Sequence, residues 1–381
     1  MLALAAASLL TLAALGQGDG QVYRVVNVRD EANSTRHIQS WVDLAPDQRT
    51  LAVAPTQSFP FRLYDIEEER ITNTINVGNW YAGARSTFSS TGKYLTLQQM
   101  FYLDMAPNKV RPVKFQVVEV ADGRTVFSSE DLYAAALAPD EQTLYTLGTT
   151  GLEAVDLSNG KRDAVRRMER LGYAVAVSND GARVAVAHKP NRAELAAMPS
   201  VRNDKDALKA LEKYGQIVVV YDARTMQPLH TLNEPFDKIF RLVYSSDGSD
   251  LWIHAKPHTR KGSAIDPRQS YVSVADATTG EMRRTAFPSL ATYEPDFRIS
   301  VDGKLFGIVS QGRKFLEIHL YERATGRMVD RFELSYRFRD ATPLKDGEFG
   351  ADGRLSFCFL PDGKNILMTF GTRLVEWTYA P

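Results

Sequence analysis

Few side chains in this chain of 381 residues are spaced for chemistry. The histidines come first. His254 and His258 are four residues apart, and with His188 they make three imidazoles that a metal could use. Pro257 breaks any helix between His254 and His258, because it lacks the backbone N–H. Lys256 adds positive charge beside them. These three are the only weak metal candidates, and no metal or cofactor is expected. The single cysteine, Cys358, excludes an intrachain disulfide and any multi-cysteine metal site. It lies in an apolar run, Leu355 to Leu360, and reads as an inert core thiol.

Other chemistries fail on their motifs. No Gly-x-Ser-x-Gly elbow is present for a nucleophilic serine. No Walker or dinucleotide fingerprint is present to cradle phosphates. The carboxylates Glu67, Glu68 and Glu69, with Glu130 and Asp131, read as solvated charge beside outer turns. Lysine plus arginine balance aspartate plus glutamate, 46 against 46. A nucleic-acid surface needs a basic excess, so no nucleic-acid partner is expected. The basic pairs Lys161-Arg162, Arg166-Arg167 and Arg260-Lys261 are offset by nearby acids or lie apart.

What must hold any site together is a repeated phrase. Its clearest copy runs from Leu242 to His254: an apolar run, a Ser-Ser-Asp-Gly turn, then a second apolar run. Asp-Gly suits a tight turn, because glycine accepts positive φ and aspartate bonds its own backbone. Flanking apolar runs make a β-hairpin. The phrase recurs at positions 47, 91, 140, 180, 247, 302 and 362, at intervals of 40 to 67 residues. A second hairpin follows each copy but the last, as in Val218-Val219-Val220-Tyr221-Asp222 or Val272 to Gly280. Each unit thus supplies four strands, A to D. A four-stranded sheet cannot cover both faces alone, whereas radial stacking of such sheets does.

The ends agree with a closed ring. The last unit has strands A and B around Asp362 and strand C from Arg373 to Tyr379, and lacks strand D. At the other end, Gln21 to Val28 is a strand without a hairpin partner. It is expected to complete the last blade. The expected fold is an all-β seven-bladed propeller over residues 21–381, closed by its N-terminal strand.

The Ser/Ala-Pro/x-Asp-Gly hairpin followed by Tyr/Val-Asp-x-x-Thr-Gly resembles the WD40-like and YVTN-type propeller repeats, over nearly the whole of residues 21–381. The chain has no Trp-Asp dipeptide, and no Gly-His pair before strand A. The resemblance implies a fold and a binding platform and carries over no functional residue.

In such a ring the Asp-Gly turns lie on one face. The B–C loops lie on the other, the top. Extra residues fall in B–C loops, at 100–112, 188–216 and 255–270, and insertions gathered on one face mark a binding face. In the segment 188–216, Asn203-Asp204 can cap a helix over Lys205 to Tyr214, with Gly215 as its stop. That helix is expected to fold over the rim, or else to cover the channel or dock a partner.

The inner strands hold the remaining candidates. Six and four residues before each turn position stand Trp41 and Asp43, Arg85 and Thr87, Arg241, Asp296 with Arg298, and Ser356. These sit near the top of the channel. Their charges can pair, Arg241 or Arg298 with Asp296 or Asp43, or they can meet a ligand. Trp80, Tyr81, Phe101 and Tyr102 add aromatic anchors of the kind that dominate interfaces.

The expected function is a non-catalytic scaffold, not an enzyme, binding a protein or peptide through the top face, and monomeric. The candidate binding residues are Trp41, Trp80, Tyr81, Arg85, Phe101, Tyr102, Arg241, Asp296 and Arg298. The resemblance also allows a propeller enzyme of the lactonase or quinoprotein-dehydrogenase-subunit type, with a site at the channel mouth. Residues 1–16 read as a secretory signal peptide, since the apolar run suits an h-region although no Lys or Arg precedes it. Export to a periplasmic or extracellular space is expected. Without that signal, the chain reads as an intracellular WD40-like scaffold. No second stretch is long enough for a membrane span.

Overall fold

The computed structural model describes residues 22–26, 39–55, 60–78, 83–100, 112–168, 170–257, 269–290, 294–311, 315–335, 355–370 and 373–380. These form 28 strands and two short helices. The N-terminal strand is β1 (Val22–Val26). Blade 1 follows as β2 (Gln39–Leu44), β3 (Thr50–Pro55), β4 (Phe61–Asp65) and β5 (Arg70–Ile75). Blade 2 is β6 (Ala84–Phe88), β7 (Tyr94–Gln99), β8 (Val113–Glu119) and β9 (Thr125–Leu132). Blade 3 is β10 (Ala134–Leu137), β11 (Thr143–Gly148), β12 (Gly151–Asp156) and β13 (Arg162–Arg167). Blade 4 is β14 (Gly172–Val177), β15 (Arg183–His188), β16 (Ile217–Asp222) and β17 (Pro228–Thr231). Blade 5 is β18 (Lys238–Tyr244), β19 (Asp250–Lys256), β20 (Gln269–Asp276) and β21 (Met282–Leu290). Blade 6 is β22 (Phe297–Ile299), β23 (Leu305–Gln311), β24 (Phe315–Glu322) and β25 (Met328–Ser335). Blade 7 is β26 (Phe357–Phe359), β27 (Asn365–Phe370) and β28 (Arg373–Thr378).

The sheets are seven, each of four antiparallel strands, and β1 is the outermost strand of blade 7. It pairs with β28 from Val22–Thr378 to Val26–Leu374. The expected closure is therefore the observed one. Closure matters because an unpaired β28 would expose a row of backbone donors and acceptors. First strands of successive blades pack against one another around the axis, as β2 does on β6 and on β26.

Seven apolar clusters hold the ring, one at each interface between blades. The strands bury residues on both faces, as the fully buried runs of β4 and β19 show. Cys358 belongs to the cluster between blades 7 and 1, and burial pushes its thiol up to about 12. It is core, as its apolar run implied.

The repeated turns work through their aspartates. Asp47 accepts from the backbone N–H groups of Arg49 and Thr50, and Asp362 from those of Lys364 and Asn365. The following residue has positive φ. It is glycine in five turns, whereas Gln48 and Glu141 take the same left-handed conformation at φ 59° and 58°.

The insertion of blade 4 folds over the rim. It contains α1 (Arg192–Ala196) and α2 (Lys205–Tyr214). Asp204 caps α2 through the N–H groups of Asp206 and Ala207. Gly215 ends α2 without positive φ, at −82°. It is needed for close approach, since a Cβ there would lie 2.8 Å from Leu211. Leu195, Met198 and Leu208 are buried in the cluster between blades 3 and 4, with Leu211 packed against it. Helix α1 adds to the one expected helix; Asn191-x-x-Glu194 is its capping box, and both of the reciprocal bonds form.

Candidate functional site

The charged positions of the inner strands converge on the axis. Arg298 of blade 6 donates to Asp43 of blade 1 at 2.7 Å and to Asp296 at 2.9 Å, and its third nitrogen reaches the carbonyl of Val42 at 2.7 Å. Asp296 also accepts from Arg241 of blade 5 at 3.1 Å and from the hydroxyl of Ser356 of blade 7 at 2.8 Å. Arg85 of blade 2 crosses to Glu294 of blade 6 at 2.6 Å and bonds Gln98 at 3.0 Å. Asp43 accepts from the backbone N–H of Phe88 in blade 2 at 2.8 Å. The cluster thus ties five blades together and balances three guanidiniums against three carboxylates.

Aromatic faces complete it. The guanidinium of Arg298 lies 4.9 Å from the ring centre of Trp41, and that of Arg241 lies 5.5 Å from Trp41 and 4.7 Å from Phe297. A flat cation held over two rings is fixed in orientation as well as attracted. The indole N–H of Trp41 donates to the carbonyl of Ser86. Trp41 and Asp296 are fully enclosed, while the side chains of Arg85, Arg241 and Arg298 keep 11–16% of their surface.

Burial and pairing pull the titratable groups in different directions. Burial lowers the pKa of Arg241 to about 10, with repulsion from Arg85 and Arg298 outweighing part of the help from Asp296. Arg298 goes the other way: burial opposes its charge, but Asp296 and Asp43 raise its pKa. Burial raises that of Asp43 in spite of Arg298. At the start of β18, Lys238 falls to about 8 through burial and the neighbouring Lys256, with Glu294 opposing.

Blades 3 and 4 leave space beside the cluster. Where blades 1, 5 and 6 carry Trp, Arg and Asp, these blades carry Ala134 with Ala136 and Ala174 with Ala176. A cavity of about 480 Å³ results, running along the inner strands of blades 2 to 5. Arg85, Gln98 and Arg241 line one end, and Ser89, Pro139 and Asn179 line the end at the Asp-Gly turns. Thr87 and Val243 form part of its wall. No residue of the blade 4 insertion lines it, so α2 does not cover it.

The structure thus gathers Trp41, Arg85, Arg241, Asp296 and Arg298 into one group. Trp80, Tyr81, Phe101, Tyr102 and His258 lie outside the described residues. His188 and His254 do not meet. His188 sits beside α1, its Nδ1 3.1 Å from the carbonyl of Lys189. His254 is fully buried against Phe240 and Phe297. Burial, helped by Arg241 and Arg85, pushes it down to about 3. Among the described residues, no three His, Cys, Asp or Glu side chains come together as a metal-binding set. Glu294 and Gln98 were missed by the sequence reading. The signal was thin: both lie outside the repeated phrase, one before β22 and one near the end of β7.

No family model matches the sequence, and no curated protein matches it. Among solved structures, the fold is similar to the β-propeller domain of Cps50 (Swd1) from Myceliophteria thermophila. The TM-score is 0.61 at 12% identity, covering 94% of this chain and 100% of that one. At that identity the likeness concerns the fold alone, and it agrees with the seven sheets of a seven-bladed β-propeller.

Proposed function

We propose that the chain is a non-catalytic binding scaffold that takes a protein or peptide partner on the face opposite the Asp-Gly turns. The partner places an acidic side chain at Arg85 and Arg241. One observation carries this reading. The cavity of about 480 Å³ ends on two guanidiniums, one of them stacked between Trp41 and Phe297. Of the five N–H donors of a guanidinium, Arg241 commits one to a hydrogen bond among the described residues, that to Asp296. A carboxylate arriving there gains charge-assisted bonds to a guanidinium whose pKa is lowered by burial first and by Arg85 and Arg298 after it. The paired carboxylates Asp43, Asp296 and Glu294 serve in this reading as the frame that orients the arginines.

The test leaves the ion pairs intact. Thr87 lines the cavity with an exposed side chain. Thr87→Trp fills the space without removing a charge. Peptides selected from a random library against the wild-type chain are expected to be enriched in Asp and Glu. They are expected to bind Thr87→Trp at least about tenfold more weakly, the loss of one well-made charged contact. Selection without acidic enrichment, or equal binding by the variant, contradicts the reading. Export belongs to the same proposal: residues 1–16 act as a cleaved signal. N-terminal sequencing of the native protein tests this, and an intact residue 1 in the mature chain contradicts it.

A further inference from the structure

A second site lies away from the channel, between blades 3 and 4 beneath the insertion. Its cavity, about 270 Å³, is lined by Arg166, Arg167, Arg170 and Lys189, with His188 and Tyr221 among its other walls. Three elements bring these cations together: the end of β13, the loop into β14, and the residue that follows β15. Arg166 is positioned over the ring of Tyr221 at 5.9 Å. His188 is buried, and the carbonyl of Lys189 can only accept, so Nδ1 donates to it. Its Nε2 is 3.9 Å from Glu194.

Among the described residues the charge does not balance. Glu194 lines the cavity, but one of its oxygens already accepts from the backbone N–H of Asn191 in the cap of α1. Glu212 stands 3.9 Å from Arg170. Among the described residues, Arg166, Arg167 and Lys189 have no carboxylate within ion-pair distance. Among the described residues, four cations thus face two carboxylates around a polar hollow, an excess of two positive charges. A single carboxylate leaves one of those charges unmatched. A phosphate monoester carries about −1.5 to −2 charge and three acceptor oxygens. Arginine forks suit such oxygens in pairs.

We infer that this cavity binds a phosphate monoester, in a site separate from the channel and independent of how the channel is used. The group belongs either to a phosphorylated side chain or to a small phosphorylated molecule. The shared chemistry is the dianionic oxyanion.

Calorimetric titration of the full chain tests this with three probes: inorganic phosphate, a phosphoserine peptide, and the same peptide with glutamate for phosphoserine. Inorganic phosphate is expected to bind, and Arg166→Gln/Lys189→Gln to weaken it at least about tenfold. A phosphopeptide that binds more tightly than phosphate assigns the group to a protein partner, and equal binding assigns it to a small molecule. Lys189→Gln alone is the second variant should the double one melt early; it is expected to weaken phosphate binding. Absence of phosphate binding overturns the inference. So does equal affinity for the glutamate peptide, or binding unchanged in Lys189→Gln and the folded double variant.

Discussion

Arg298 and Asp43 stand 255 residues apart in sequence and 2.7 Å apart in the ring, blade 6 bonded past blade 7 to blade 1. The pair is buried and shares its charges with Asp296 and Arg241. Removing one partner from such a network leaves uncompensated charge, which costs about 3–5 kcal/mol. Arg298→Met is expected to lose that much in guanidinium denaturation. Arg298→Lys is expected to lose most of it too, since one ammonium cannot reproduce the fork that meets Asp43, Asp296 and the Val42 carbonyl together. A loss below about 1 kcal/mol, the scale of an exposed pair, contradicts a structural role for the cluster.

His254 gives the ring an acid sensitivity. Its pKa is pushed down to about 3 in the folded chain, from an ordinary 6.5. Between those values the unfolded chain binds the extra proton, so stability rises with pH there and is level above it. Acidifying from neutral toward pH 4 is expected to lower the melting temperature before most carboxylates titrate. Neither ring nitrogen has a hydrogen-bond partner among the described residues. His254→Leu is therefore expected to flatten the slope between pH 6.5 and 4 and to cost little at neutral pH. An unchanged slope in that variant contradicts the assignment.

Two turns without glycine separate strain from function. Gln48 and Glu141 both hold positive φ. Glu141 also accepts from the backbone N–H and hydroxyl of Thr91 in the neighbouring turn of blade 2. Gln48→Gly is expected to stabilise by up to about 1 kcal/mol, the order of the left-handed penalty. Glu141→Gly is expected to destabilise, because the bonds between the turns are lost. Thermal melts of both variants check the opposite signs.

The repeated hairpin made the blade count and the closure legible, because turn chemistry and apolar runs are local and recur. The missing strand after Thr378 and the spare one at Val22 could be matched by counting. The channel cluster was half legible. Arg241, Asp296 and Arg298 stand out against an apolar pattern, and the sequence allows them either to pair with one another or to meet a ligand. Which arginine meets which carboxylate depends on how blades 1, 2 and 6 face one another across the axis, and no local signal encodes that. Glu294 and the basic hollow at Arg166, Arg170 and Lys189 were hidden for the same reason. Their residues come from separate strands and loops, and each looks like ordinary solvated charge alone.

The N-terminal clasp is a further point of failure. A chain starting at Asn27 lacks β1 and leaves β28 as an open edge. It is expected to melt earlier and to self-associate, as light scattering can show. A monomer of unchanged stability contradicts the clasp.

The most direct test of the binding reading is photo-cross-linking of the wild-type chain by a selected peptide that carries a photoreactive diazirine beside its acidic residue. Adducts are mapped by mass spectrometry at Thr87, in the cavity, and at Lys304, in an Asp-Gly turn. Cross-linking at Thr87 that is lost on competition with unlabelled peptide, and none at Lys304, is the predicted result. Cross-linking at Lys304 alone, or equal labelling at both, contradicts a partner held at the Arg85 and Arg241 end of the channel.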